Sequence, residues 1–137
     1  MIVTFRSNAF NTSTREKYFI TARPYGSDVA NWLLNELNSR EPGAEAGIGQ
    51  RKNGWSIRFN AGGATHQFLI VYRHPHWVGS LERTPGMADR FLRRRPRPVE
   101  SEAVLLINSI LSSSELVADV RWQAAPFPAT DLPRLTD

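Results

Sequence analysis

The stretch GWSIRFNAGGATHQFLIVYRHPHWVGSLERT, residues 54–84, decides the predicted fold. Trp55, Ile57 and Phe59 alternate with polar residues, which is the period-two pattern of a strand with one buried face. The NAGG segment at 60–63 follows, and its glycines can adopt the positive φ that a tight hairpin requires. Two further β-favouring runs come after this turn, so the stretch predicts three consecutive antiparallel strands.

The middle strand, residues 67–72, is apolar at five successive positions. A run of this kind is typical of a central strand covered on both faces, or of a strand at a partner surface. Because strand side chains alternate, Leu69 and Val71 point away from the face that carries Phe68 and Ile70. Three explanations of this second face remain open: the C-terminal tail covers it, the sheet curls, or another subunit packs there. We favour the third and predict an interface at Leu69 and Val71.

The rest of the chain predicts two amphipathic helices. Ser27 or Asp28 is a candidate N-cap for a helix that runs to about Ser39, with apolar residues at helical spacing. The second helix has Pro98 in its first turn and ends at 112–114. Further strands are expected at 1–7, 18–21 and 117–122, with an irregular or edge strand within 44–50.

These elements predict an α+β fold, a two-layer sandwich with a mostly antiparallel sheet of five to seven strands and two helices on one face. Residues 1–123 form the single domain, and 124–137 form a proline-rich C-terminal tail. One buried cluster is expected to join the in-facing positions, namely Leu33, Trp55, Phe59, Phe68, Ile70 and Ile107.

The composition is that of a globular protein, with 41% hydrophobic and 10% aromatic residues among 137. There are no cysteines, which excludes disulfides, thiolate zinc sites and a cysteine nucleophile. Arg6 interrupts the N-terminal apolar run too early for a signal peptide, and no apolar run approaches the length of a membrane span. The sequence therefore predicts a soluble cytoplasmic protein that does not associate with membranes.

Positive charge is concentrated in one segment. The net charge is +4, and residues 83–97 contain six arginines and one acid, Asp89. A local basic patch is the form in which anion or nucleic-acid binding would be recognised. The candidate residues for such binding are Arg90, Arg93, Arg94, Arg95 and Arg97. The alternative, a solvated loop, is favoured because the remainder of the chain is close to neutral.

His74 and His76 are the strongest candidates for metal chemistry, since two imidazoles two residues apart on an extended chain face the same side. A metal would need a third ligand, for which His66 or Glu82 is available. An exposed turn explains the same residues without a metal, because the closed ligand sets of real sites are lacking.

Other catalytic motifs are also lacking. The chain has no G-x-S-x-G nucleophile elbow and no phosphate-binding glycine loop. We predict no catalytic residue, no metal and no cofactor, and the balance of these observations is against an enzyme.

Several segments resemble a group of small uncharacterised bacterial proteins of the accessory or mobile gene-cassette type. The resemblance covers about residues 1–123, and its segments are FNTST at 10–14, YFI at 18–20, YGSDVANWL at 25–33, GWSIRF at 54–59 and VRW at 120–122. It implies a bacterial cytoplasm and an accessory role, but no activity and no functional residue.

The sequence predicts a non-enzymatic binding protein whose partner is another protein or a second copy of itself, most simply in a homodimer. Two alternatives remain open. The first is a nucleic-acid-binding domain that uses the arginine-rich loop, and the second is a small-molecule-binding protein or enzyme with a pocket between helix and sheet.

Overall fold

The computed structural model describes residues 1–10, 25–85, 92 and 98–124. This part of the chain contains six strands and two α-helices. In chain order they are β1 (Ile2–Arg6), α1 (Ser27–Arg40), a 3₁₀ turn (Pro42–Ala44), β2 (Gly47–Gln50), β3 (Trp55–Ala61), β4 (Ala64–Arg73), β5 (His76–Arg83), α2 (Ser101–Ser113) and β6 (Ala118–Gln123).

All six strands join one antiparallel sheet in the order β2-β3-β4-β5-β1-β6. The predicted run of three strands is confirmed as β3, β4 and β5. Gly62 and Gly63 turn the first hairpin with φ of 59° and 76°, values that a residue with a side chain rarely adopts. The second hairpin turns at His74 and Pro75, and Arg73 pairs with His76.

Both helices pack on one face of this sheet, so the α+β sandwich is confirmed. The predicted core is confirmed as well, since its six residues lie in one buried cluster. The largest fully buried side chains come from both layers and are Phe5, Leu33, Leu37, Ile57, Phe59, Phe68, Ile70, Trp77, Leu81, Ile107, Ile110 and Leu111. Gly79 lies opposite Ile70 and Val3 in this core, and the Phe68 ring occupies the space that a side chain there would need.

The first predicted helix is confirmed as α1, Ser27–Arg40, but its predicted N-cap is wrong. The N-cap of α1 is Gly26, with φ of 118°, and neither Ser27 nor Asp28 occupies that position. A Cβ on Gly26 would lie 3.2 Å from both the Trp55 and the Trp77 ring, so the close packing of these indoles favours glycine at the cap.

The second helix begins later than predicted. Glu100 is the N-cap of α2, and Pro98 lies outside the helix. The Glu100 carbonyl accepts from the Ala103 N–H at 3.0 Å, which fixes the first helical turn there. The predicted helix end is confirmed, because α2 finishes at Ser113.

The edge strand predicted within 44–50 is confirmed as β2, and the last strand is confirmed as β6. The predicted strand at 18–21 and residues 125–137 of the predicted tail lie outside the described residues, so both stay predictions. Neither described helix is long and apolar enough to cross a membrane.

Candidate functional site: the open face of the sheet

The sheet face opposite the two helices, here called the open face, carries small and apolar side chains at its centre. Strand register places Ser56, Leu69, Ser80 and Ile2 in one row across four strands. The neighbouring row contains Val71, Val78 and Thr4. Leu69 and Val71, the predicted interface residues, therefore lie at the middle of this face on the central strand β4.

Burial differs along these rows. Ile2, Thr4, Ser56 and Val78 are only 5–7% exposed, whereas Leu69 and Val71 are half-buried. Leu69 and Val71 are therefore the more accessible apolar side chains of these two rows.

Charged groups lie at both ends of the open face. Arg58 and Glu82 flank Gln67 in register, and Arg73 lies at the opposite end of β4. None of these three charges forms an ion pair with any residue that the structure describes. They differ in this from Arg6 on β1, which lies 3.8 Å from Asp119.

The N-terminal ammonium lies near the Glu82 end of this face. Burial lowers the pKa of the Met1 ammonium, and the nearby Glu82 carboxylate partly opposes that shift. The ammonium also donates to the Leu81 carbonyl at 3.2 Å. The chain terminus is therefore held against β5.

A second cluster joins the sheet to the start of α2. His66 is fully buried in β4, and its Nε2 accepts the Glu100 backbone N–H at 3.1 Å. Its Nδ1 lies 3.2 Å from the Ala64 carbonyl oxygen, so Nδ1 carries the proton and the imidazole is neutral. Arg83 donates to Glu100 Oε1 at 2.7 Å, which takes this arginine out of the predicted basic patch.

Burial is the main cause of a lowered pKa at His66. The Ala64 carbonyl raises this pKa, the Arg83 guanidinium lowers it, and the Glu100 carboxylate raises it. The ring stacks on Phe59 with centroids 5.7 Å apart. His66 is therefore a structural acceptor for the N-terminus of α2, a role that the sequence did not suggest.

A cleft of about 710 Å³ opens between the β3–β4 hairpin and α2, which is where the predicted pocket between helix and sheet would lie. Its lining is Glu41, Gly43, Asn60, Ala61, Gly62, Gly63, Glu102, Leu105 and Leu106. The volume is within the range of small-molecule sites. Leu105 at its rim is 65% exposed.

A smaller depression of about 270 Å³ lies on the open face at the β2 edge. Gly47, Ile48, Gly49, Arg51, Ser56, Arg58 and Gln67 line it. The sequence-level signal was available in the G-x-G of β2, since two glycines two residues apart on a strand bare the same face. Sequence reasoning missed it because it read these glycines as a sign of an irregular or edge strand and compared them only with the phosphate-binding loop motif, which they do not match.

The predicted histidine pair has no third ligand among the described residues. His74 lies in the exposed turn, where its Nδ1 is 2.9 Å from the Tyr72 hydroxyl, and His76 lies in β5. Within residues 1–10, 25–85, 92 and 98–124, no group of three His, Asp or Glu residues could hold a metal ion. Neither of the proposed third ligands, His66 and Glu82, joins the pair in such a group.

The predicted anion-binding arginines, namely Arg90, Arg93, Arg94, Arg95 and Arg97, lie outside the described residues.

Comparison with known proteins adds no information on function or ancestry: no family model, no curated protein and no solved structure matches this chain.

Proposed function

We propose that this protein is a non-enzymatic binding protein that self-associates through the open face of its sheet. The observation that carries the proposal is the pair Leu69 and Val71, half-buried at the middle of a face that neither described helix covers. A partner that removes apolar side chains in this position from water lowers the free energy of the system.

A second copy of the chain is the occupant that fits this face. Two-fold dimers bury the same patch of both subunits, so the patch must be complementary to itself. A two-fold axis that runs across the strands between the Leu69 and Val71 rows places Leu69 on Val71 of the partner subunit. The interface then contains two equivalent contacts, each between Leu69 of one subunit and Val71 of the partner subunit.

The charges favour the same arrangement. The rotation that pairs Leu69 with Val71 of the partner subunit also lays Arg73 over Gln67 of the partner subunit. Glu82 and Arg58 are the two register neighbours of Gln67, each about 5 Å away across the strands, so Arg73 can turn towards Glu82 of the partner subunit and away from Arg58 of the partner subunit. A two-fold axis along β4 would instead oppose Arg73 with the partner's Arg73, which like-charge repulsion disfavours.

Charge exchange tests the dimer and its orientation together. Arg73→Glu and Glu82→Arg should each weaken self-association about tenfold or more, because each places like charges across the two-fold axis. An equimolar mixture of the two variants should form a heterodimer, and the Arg73→Glu/Glu82→Arg double variant should regain the homodimer. Analytical ultracentrifugation at micromolar concentration measures all four cases, with Glu115→Arg, in the α2–β6 connection, as the matched control.

A wild-type protein that sediments as a monomer at these concentrations would contradict the proposal. The same measurement on residues 1–124 then shows what covers the face, since a dimer formed only by the shortened chain would assign the cover to residues 125–137. Singly substituted variants that associate like the wild type would leave a dimer but overturn its orientation.

Small-molecule binding is a second candidate function, supported by the cleft between the β3–β4 hairpin and α2. Purified protein that carries a ligand identifiable by mass spectrometry, and loses it on substitution of Leu105 by Arg at the rim, would support this function. Salt-dependent binding to DNA or RNA would instead support the arginine-rich loop.

A further inference from the structure

The depression at the β2 edge owes its shape to two glycines. Gly47 and Gly49 alternate with Ile48 and Gln50 along β2. Both glycines therefore lie on the open face, where they leave the strand without side chains. A Cβ added at Gly47 would meet nothing within 4 Å, and one at Gly49 would first meet the Ser56 hydroxyl at 3.4 Å. The backbone of β2 is therefore accessible as the floor of the depression.

Hydrogen-bond donors surround this floor. Arg58 pairs with Gly47 on one side and with Gln67 on the other, so its side chain rises directly beside the space that Gly47 leaves. Ser56 stands opposite Gly49 in the next row, and its hydroxyl donates to the Gly49 carbonyl at 3.5 Å. Arg51 closes the far end at the β2–β3 turn, where its backbone N–H donates to the Gly54 carbonyl at 2.8 Å.

Both guanidinium groups are available for a ligand. Arg51 and Arg58 are exposed, and neither forms an ion pair or a side-chain hydrogen bond with the described residues. None of the seven lining residues is acidic. The five residues from Gly47 to Arg51 span about 13 Å of extended chain, a separation that two arginine side chains can close from opposite ends.

We propose that this depression binds the phosphate group of a small phosphate monoester. A phosphate dianion matches the charge of the two guanidiniums, and its tetrahedral oxygens can accept from Arg51, Arg58 and the Gln67 amide at once. The bare β2 floor lets the group approach closely. A volume of about 270 Å³ suits a small anion rather than a large cofactor.

Leu69, Val71 and Arg73 do not line the depression, but Gln67 does, and the proposed dimer lays Arg73 of the partner subunit over Gln67. Phosphate binding is therefore measured at concentrations at which the protein is a monomer, so that a failure of one proposal is distinguishable from a failure of the other. All binding measurements are to be made on samples whose mass has been determined by light scattering, so that a change of oligomeric state is recognised.

Amide chemical shifts in two-dimensional NMR test the site directly. Titration with inorganic phosphate and with glycerol 3-phosphate, at constant ionic strength, should move the amide signals of Gly47, Gly49 and Ser56. Acetate should bind at least tenfold more weakly, because it has one charge and two oxygens. Tighter binding of glycerol 3-phosphate than of phosphate would show that the ester is the ligand, and equal binding would show that the site takes the ion itself.

Three variants locate the interaction. Arg58→Gln and Arg51→Gln should each weaken phosphate binding about tenfold. Gly47→Val should abolish binding by filling the depression, while its unfolding midpoint stays unchanged because the site is open and valine favours strands. Arg121→Gln, on β6 at the opposite edge of the same sheet, is the matched control and should bind like the wild type.

Shifts confined to other parts of the chain would overturn the proposal. So would equal affinity for acetate and phosphate, or full binding by the Gly47→Val variant.

Discussion

His66 shows how one residue connects the sheet to a helix. Its neutral imidazole accepts the N–H of Glu100, which caps α2, and donates from Nδ1 to the Ala64 carbonyl. Protonation would place a hydrogen on Nε2, facing the Glu100 N–H, and would charge a ring that is fully buried. The native state therefore holds this histidine in its neutral form.

The pH dependence of stability follows from that preference. Because burial lowers the pKa of His66 in the folded protein, the unfolded chain binds a proton more readily as the pH falls. The stabilisation is complete above the ordinary histidine pKa of about 6.5 and is lost as the pH falls below it toward the lowered folded value. We expect the urea midpoint of the wild type to decrease between about pH 7 and pH 5.

Glutamine tests the assignment, because it can accept the Glu100 N–H but does not titrate. His66→Gln should have a flatter profile of urea midpoint against pH over this range, whereas the matched His74→Gln variant, in the exposed turn, should retain the wild-type decrease. If His66→Gln loses stability with falling pH as the wild type does, another group is responsible.

The two faces of β4 differ in how deeply their side chains are buried. Phe68 is fully buried among the helices and strands, whereas the next residue, Leu69, lies half-buried on the open face. Strand alternation alone separates the two side chains. The Phe68 ring also fills the space that a side chain at Gly79 on β5 would need. The packing of β4 on β5 therefore requires glycine at position 79.

Truncation measures that difference. Phe68→Ala should lower the free energy of unfolding by about 3–5 kcal/mol, because it leaves a cavity at the centre of the core. Leu69→Ala, measured by urea unfolding at a protein concentration too low for association, should cost much less. A Phe68→Ala protein that melts within a degree or two of the wild type would show that β4 is not central to stability.

Self-association links the stability of the folded protein to its concentration. If the open faces of two copies pack together, the folded state is linked to dimer formation, and the apparent stability must rise with protein concentration. A hundredfold increase in concentration should raise the wild-type melting temperature by several degrees. The Arg73→Glu variant should melt at a temperature that depends little on concentration, and a wild-type midpoint that does not move would contradict the dimer.

Local sequence patterns were enough to predict most of the elements and the two layers. Period-two alternation predicted β3, β4 and β5, and helical spacing of apolar residues predicted α1 and α2, because burial of one face imposes these periods locally. The core cluster followed from the same patterns, and so did the placement of Leu69 and Val71 opposite Phe68. These properties depend on neighbours within a few residues.

The helix caps and the positions of the candidate sites depend instead on contacts between elements that are distant in sequence. Gly26 caps α1 because two indoles that are distant in sequence crowd it, and Glu100 caps α2 where His66, 34 residues earlier, accepts its N–H. The phosphate-binding depression likewise needs β2 beside β3, so that Gly47 lies next to Arg58. Such contacts join residues that local patterns cannot bring together, because strand order and register are set by the packing of the whole sheet.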